Sequence, residues 1–189
     1  MFRARRGGRS VVGPRVRHAL RLLADGRCAE AGEQFGQLAD RARDNDNHLR
    51  SAHLAEQAAR AFLEAGAGDK AAFRTRQAVQ QFIAGRRPSR AVRALRSVVI
   101  ALRSGGFQAQ ADALEQDAQA RLAEVGLSLA SVPAESVPQP RGHLPPACPY
   151  CGGPLRTDEA DWIDTTSAEC PYCGSAVQTQ SPSTASPGG

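Results

Sequence analysis

Four of the five cysteines fall in two short and nearly identical segments near the end of the chain. Residues 148–153 read Cys-Pro-Tyr-Cys-Gly-Gly, and residues 170–175 read Cys-Pro-Tyr-Cys-Gly-Ser. Two residues between paired cysteines allow one tight turn to direct both thiolates at a single ion, because proline presets φ and the following glycine tolerates a positive φ. The pattern therefore predicts a tetrahedral metal site with four thiolate ligands: Cys148, Cys151, Cys170 and Cys173.

This cysteine pattern resembles that of the zinc-ribbon family over residues 147–177. The resemblance implies that each cysteine pair tops a small β-hairpin and that the cofactor is a structural Zn²⁺. Leu155, Trp162 and Ile163 are the large apolar side chains between the two pairs, and we expect them to pack beneath the metal. Because so small a module cannot fold on apolar burial alone, the metal should supply much of its stability.

Other interpretations of the cysteines stay open. A four-cysteine site also holds iron in rubredoxin-like electron carriers, although the sequence between their cysteine pairs is usually longer and richer in aromatic residues. Four protein ligands leave no open coordination position, so a hydrolytic metal is not expected. His143 lies outside the two turns and is interpreted as an exposed linker residue. Cys28 is interpreted as a small packing residue within a helix.

The composition favours a bacterial cytoplasmic protein. The longest uninterrupted apolar run, residues 98–102, is far too short to span a bilayer. An odd number of cysteines, with four of them clustered, does not suggest a disulfide framework. Lys70 is the only lysine among many arginines, which is typical of a GC-rich genome. The arginine-rich start also resembles a mitochondrial presequence in composition, but no amphipathic run precedes Pro14.

Ahead of the cysteines, the chain shows helical periodicity interrupted by glycine-rich breaks. The predicted helices cover roughly 14–24, 27–43, 48–65, 69–84, 88–104 and 107–125. Val92, Leu95, Val99 and Leu102 recur at steps of three and four residues and give one apolar stripe. Short connections between helices of similar length favour antiparallel neighbours, so we expect three helical hairpins.

Residues 26–35, Gly-Arg-Cys-Ala-Glu-Ala-Gly-Glu-Gln-Phe, resemble the second helix of a tetratricopeptide repeat. Ala31 would take the small packing position and Phe35 the large one. Phe73 and Phe107 lie 34 residues apart, which is the period of that family. The resemblance implies a mainly α fold of tetratricopeptide-like hairpins. The Trp and Pro of the full consensus are missing, and an unrelated α-hairpin bundle stays open as the alternative.

Composition divides the chain into five regions. They are a disordered basic N-terminus (1–12), a helical-repeat domain (13–126), a proline-rich linker (127–146), the zinc ribbon (147–177) and a disordered polar tail (178–189). Proline fixes φ and lacks the backbone donor, so the linker is expected to be extended rather than part of a core.

Charge is distributed unevenly between these regions. Residues 148–177 carry one arginine and five acidic residues, a net charge of −4, so the ribbon should repel phosphate. Residues 1–24 and 70–111 are strongly basic, and their candidate partner or nucleic-acid contacts are Arg86, Arg87, Arg90, Arg93 and Arg96. These arginines could face solvent, an acidic protein, a nucleic-acid backbone, or the acidic ribbon of the same chain.

The sequence offers no catalytic constellation. His48 and His53 are five residues apart and do not share a helix face. Residues 44–47 resemble a calcium loop only briefly, because the required glycine and terminal glutamate are absent. We therefore expect a non-enzymatic adaptor that binds a protein partner, with no membrane association. The alternatives are a nucleic-acid-associated regulatory protein and a rubredoxin-like redox module.

Overall fold

The structure is a computed structural model, and it describes residues 14–131, 142–157 and 160–180. These residues form a helical unit and a C-terminal unit with a small β-sheet. The predicted fold class, mainly α with a small β module, is confirmed. The predictions for residues 1–12 and for most of the tail after residue 178 fall outside the described residues.

Six α-helices make up the described part of the helical unit, and five of them have the same length. They are α1 (Pro14–Ala24), α2 (Cys28–Asp44), α3 (His48–Glu64), α4 (Gly68–Ala84), α5 (Pro88–Ser104) and α6 (Gln108–Glu124), followed by a short 3-10 turn at Leu129–Ser131. Each of α2 to α6 has 17 residues, and three residues connect consecutive helices, so helix starts recur every 20 residues. Each helix begins and ends within one residue of its predicted bounds.

Every helix ends in the same left-handed turn. The middle residue of each connection has a positive φ, at Gly26, Asp46, Gly66, Arg86, Gly106 and Gly126. The following residue donates its N–H to a carbonyl in the last turn of the helix, as Arg27 does to Leu22 at 2.8 Å. This is a Schellman termination, which satisfies carbonyls that the helix leaves without partners.

The same interval governs which side chains are buried. The residue whose carbonyl accepts at each turn is buried, namely Leu22, Ala42, Phe62, Phe82, Leu102 and Leu122. The fourth residue of α2 to α6 is 0% exposed in every case, namely Ala31, Ser51, Ala71, Ala91 and Ala111. A hairpin of two helices and two connections therefore spans 40 residues. The 34-residue period inferred from Phe73 and Phe107 is wrong, because Phe73 lies within α4 whereas Phe107 precedes α6.

Polar contacts join α2 to α4, α3 to α5 and α4 to α6. Arg74 of α4 donates to Asp40 of α2 at 3.0 Å. Arg90 of α5 pairs with Glu56 of α3 at 3.1 Å. From α2 to α6, each helix thus packs on its neighbour and contacts the next helix but one, which is how stacked hairpins bury a continuous core.

Helix α3 lies at the centre of this packing. Residues 51–59 are all buried, so no face of α3 is exposed over that stretch. Most of these side chains are small, which lets α2, α4 and α5 approach closely. The buried Ser51 hydroxyl donates to the Ala39 carbonyl at 2.9 Å and so joins α3 to α2. The His53 ring packs edge-on against Phe82 at 5.1 Å between ring centroids.

The C-terminal unit contains a three-stranded antiparallel sheet. Its strands β1 (Asp161–Trp162), β2 (Ser167–Glu169) and β3 (Ala176–Gln178) lie in chain order. In the register of the sheet, Ala168 lies opposite Trp162 on one side and opposite Val177 on the other. All three of these side chains are buried, so one face of the sheet forms a small core.

Of the segment predicted as a linker (127–146), residues 132–141 lie outside the described residues, and each of its two described ends contributes side chains to one unit. Leu127 and Leu129 pack against a buried cluster of the helical unit that contains Val92 and Leu122. Leu144 is only 7% exposed within the C-terminal unit. Among the described residues, no helix combines the length and the apolar character that crossing a membrane requires.

Candidate metal centre

The first cysteine pair lies in a tight turn closed by two backbone hydrogen bonds. The Cys148 N–H donates to the Gly153 carbonyl at 2.8 Å, and the Gly152 N–H donates to the Cys148 carbonyl at 2.7 Å. Gly152 has a φ of 71°. A residue with a Cβ adopts that conformation only at a cost in free energy, so glycine favours the closure of this turn.

The second cysteine pair repeats this geometry between β2 and β3. The Cys170 N–H donates to the Ser175 carbonyl at 2.9 Å, and the Gly174 N–H donates to the Cys170 carbonyl at 2.9 Å. Gly174 has a φ of 73°. Cys170 directly follows β2, and β3 begins at Ala176, so the sheet fixes both ends of this turn.

The two turns bring four sulfur atoms into one cluster. All four Sγ atoms lie within 4.8 Å of one another. Two of the distances between turns are 3.8 Å, from Cys148 to Cys173, and 3.6 Å, from Cys151 to Cys170. Disulfide sulfurs would lie about 2.05 Å apart. Four sulfurs bound tetrahedrally at about 2.3 Å from an ion would be separated by about 3.8 Å, which agrees with these distances.

The electrostatics of the cluster are those of thiols that cannot all ionise without a cation. Hydrogen bonds from Cys151 and Cys170 lower the pKa of Cys173. The hydrogen bond with Cys151 raises the pKa of Cys170. The hydrogen bond with Cys170 lowers the pKa of Cys151, but the contact with Cys173 and burial outweigh it and raise that pKa to about 12. A bound cation would favour the thiolate form of all four.

Backbone amides favour thiolates at this position. The Gly153 amide hydrogen-bonds Cys151 and lowers its pKa, and the Ser175 amide does the same at Cys173. The Tyr172 amide acts in this way on Cys170. The donor set, the tetrahedral spacing and the amides therefore fit a metal ion with soft-ligand preference.

The side chains beneath the cluster only partly match the expectation. Leu155 and Trp162 are buried at 7% and 6% exposure, and the Trp162 indole N–H donates to the Thr157 carbonyl at 3.1 Å. Ile163 is 49% exposed, so its predicted place in the core is wrong. It directly follows β1, where the chain turns toward β2. Three smaller or more distant side chains that the sequence pattern does not indicate are also buried in this unit: Leu144, Ala168 and Val177.

Arg90, one of the five predicted contact arginines, lies inside the helical unit. It is 5% exposed, pairs with Glu56, and lies over the Phe82 ring at 5.4 Å from the ring centroid. Arg60 also donates to Glu56, at 2.9 Å. In this structure Arg90 therefore serves to join α3 and α5, and an external partner could not reach it without unpacking the helices.

The other four predicted arginines differ in exposure. Arg86 and Arg87 are exposed in the connection between α4 and α5. Arg93 and Arg96 are partly buried on α5, and Arg96 donates to the Leu129 carbonyl. The structure thus does not bring the five arginines onto one open surface. Arg86 and Arg87 lie in the exposed connection, whereas the other three lie on α5 and are partly or fully buried by helix packing.

No family model matches the chain, and neither a curated protein nor a solved structure shows significant similarity to it. Any function proposed for it therefore rests on its own residues and geometry.

Proposed function

We propose that this chain is a non-enzymatic adaptor, which binds a protein partner through its helical unit and carries a zinc ribbon as a second contact module. The helical unit would be a tetratricopeptide-like array with hairpins of 40 residues instead of 34. The observation that carries the proposal is the recurrence of one turn and one set of buried positions from α2 to α6. Arrays of this kind commonly use their extended surfaces to bind segments of other proteins.

Zinc is the metal we propose for the four-cysteine cluster. Thiolate ligands in tetrahedral geometry suit Zn²⁺ or iron, and a closed four-ligand shell suits a structural role. The small size of the sheet, with strands of two or three residues, supports a role for the metal in folding. Iron in the same cluster would favour the rubredoxin-like alternative, and it would colour the purified protein.

Internal ion pairs support a protein partner over a nucleic acid. Much of the positive charge of the basic segment is neutralised within the helical unit, since Arg74 pairs with Asp40, and Arg103 pairs with Asp112 and Glu115. Phosphate binding depends on cations that are free to displace counterions. The exposed Arg86 and Arg87 keep a nucleic-acid role as the second candidate.

A displayed peptide library tests the proposed function. The zinc-loaded full chain is immobilised and used to select from a library of 16-residue peptides designed to form helices, with parallel selection on a matrix without protein. Reproducible enrichment of related sequences, with micromolar or tighter binding of the corresponding synthetic peptides, is the expected result. Failure to enrich any sequence, together with steeply salt-dependent binding of DNA or RNA, would replace the adaptor with the nucleic-acid alternative.

A further inference from the structure

A cavity of about 310 Å³ opens beside the connection between α2 and α3. It is lined by Leu38, Arg41, Ala42, Asn45, Asn47, Arg50 and Leu54. Leu54 and Ala42 are buried and give the cavity an apolar floor, whereas Arg41 is exposed and Arg50 is partly buried. Its volume reaches the lower end of the range for binding pockets, about 300–1,000 Å³.

Arg50 occupies a position that recurs in α4, α5 and α6, where the equivalent side chain donates to an acidic residue. It is the third residue of α3, and the third residues of α4, α5 and α6 are Lys70, Arg90 and Gln110. Each of these three donates to an acid located two helices earlier. The pairs are Lys70 with Glu33 at 2.6 Å, Arg90 with Glu56 at 3.1 Å, and Gln110 with Asp69 at 3.0 Å.

The helix that would supply the acid for Arg50 in this pattern contains none. The helix two places before α3 is α1, and α1 contains no aspartate or glutamate. Residues 1–13 contain none either. Among the described residues, Arg50 and Arg41 form no ion pair. The connection between α2 and α3 therefore presents two cations without a carboxylate partner in the described part of the chain, beside an open cleft with an apolar floor.

We propose that this cavity binds an acidic helical segment of a protein partner, which supplies the missing carboxylate to Arg50 and Arg41. Apolar side chains of that segment would contact Leu38, Ala42 and Leu54. Charge excludes the start of the chain itself as the occupant, since residues 1–13 carry arginines and no acid. The inference rests on the proposed adaptor function and names the chemistry of the partner.

Variants of the full zinc-loaded chain test the site with the peptides selected above. We expect the enriched peptides to share an Asp or Glu at a fixed place beside an apolar stripe. Arg50→Ala should weaken their binding about tenfold or more, the loss expected for one charge-assisted hydrogen bond. Replacing the shared acid by its amide in the peptide should weaken binding similarly and should add nothing further in Arg50→Ala. Arg43→Ala is the matched control, because Arg43 lies near the same connection but pairs with Asp44 and Asp40.

Charge reversal gives the sharpest outcome. Selection on Arg50→Glu should enrich peptides with Lys or Arg at the place where wild type selects an acid. Peptides that bind wild type and Arg50→Glu equally would overturn the site while leaving the adaptor function intact. If a DNA oligonucleotide displaces the peptide and itself loses affinity in Arg50→Ala, the cavity belongs to nucleic acid and the proposal fails. Equal far-ultraviolet circular dichroism and melting temperature of all variants exclude unfolding as the cause.

Discussion

Glu56 and Arg90 form an ion pair that is almost completely shielded from water. Their carboxylate and guanidinium atoms are 3.1 Å apart, and the side chains are 4% and 6% exposed. Glu56 also accepts from Arg60 at 2.9 Å, and Arg90 lies over the ring of Phe82. Glu56 and Arg90 are 34 residues apart in sequence. Their ion pair joins α3 to α5 and so holds one hairpin of the array against the next.

Removing one member of this pair should destabilise the protein strongly. Arg90→Ala leaves Glu56 charged in a buried site, and breaking a buried pair in this way costs about 3–5 kcal/mol. Glu56→Leu combined with Arg90→Met should recover most of the loss, because it removes both charges. Urea unfolding followed by circular dichroism measures the effect. Arg103→Ala is the exposed control, with an expected loss below about 1 kcal/mol; equal losses in Arg90→Ala and Arg103→Ala would contradict the buried pair.

The pair should also make stability depend on pH. Burial acts to raise the pKa of Glu56, but the charges of Arg90 and Arg60, with His53 nearby, outweigh it and lower the pKa below 4.5. A carboxyl with a depressed folded pKa contributes stability above its unfolded pKa, and the contribution is lost as pH falls through the folded value.

We therefore expect the difference in unfolding free energy between wild type and Glu56→Gln to be largest near neutral pH and to shrink at acidic pH. Urea titrations at pH 7, 5, 4 and 3 provide the measurement. Loss of metal in acid affects both proteins alike, so the difference isolates Glu56. A difference that stays constant down to pH 3 would show that the charge of Glu56 is not what stabilises the helices.

Metal removal should unfold the C-terminal unit and leave the helical unit intact. The only tryptophan, Trp162, lies in β1 of the C-terminal unit and is buried. Its fluorescence should therefore shift to longer wavelength when a chelator removes the metal, while the circular dichroism of the helices persists. Elemental analysis should find one zinc per chain, and none in Cys170→Ser. Cys28→Ser, which alters the thiol outside the cluster, should keep the full zinc content. A stoichiometric iron content with visible colour would contradict zinc.

The left-handed turns offer a matched pair of substitutions. Gly66 has a φ of 70° with no atom within 4 Å of an added Cβ, so Gly66→Ala should cost about 1–2 kcal/mol through backbone strain alone. Arg86 adopts a φ of 59° at the equivalent position, so Arg86→Gly should be neutral or stabilise by up to about 1 kcal/mol. Thermal unfolding compares the two. Destabilisation by Arg86→Gly would mean that the Arg86 side chain makes contacts that outweigh its strain.

The sequence predicted the helices well because their ends are marked by local chemistry. Glycines at the turns and Pro88 at the start of α5 act over a few residues, and the observed bounds agree with them. The 20-residue repeat was also present in the sequence, in Gly26, Gly66 and Gly106 and in the buried alanines four residues into the helices. The repeat is hard to recognise from the sequence alone, because Asp46 and Arg86 interrupt the glycine pattern and because Phe73 and Phe107 match a different period.

The site could be predicted only where it depends on nearby residues. Two cysteines separated by two residues define each metal-binding turn, and the structure brings all four together as expected. Arg90 was expected on an exposed face because its partner Glu56 lies 34 residues away, and no local pattern joins them. The apolar side chain of Ile163 favours a core position, but the residue lies just after β1, where the chain turns toward β2, and it is 49% exposed.

Protein partnership is the central claim, and cross-linking in lysate of the source organism tests it most directly. The tagged full chain is cross-linked before and after nuclease treatment, and the linked residues are mapped by mass spectrometry. We expect the same protein segment to be linked within residues 14–131 of the chain in both samples and to be lost in Arg50→Glu but not in Arg43→Ala. Links that disappear after nuclease treatment, or that form only to nucleic acid, would contradict the adaptor function.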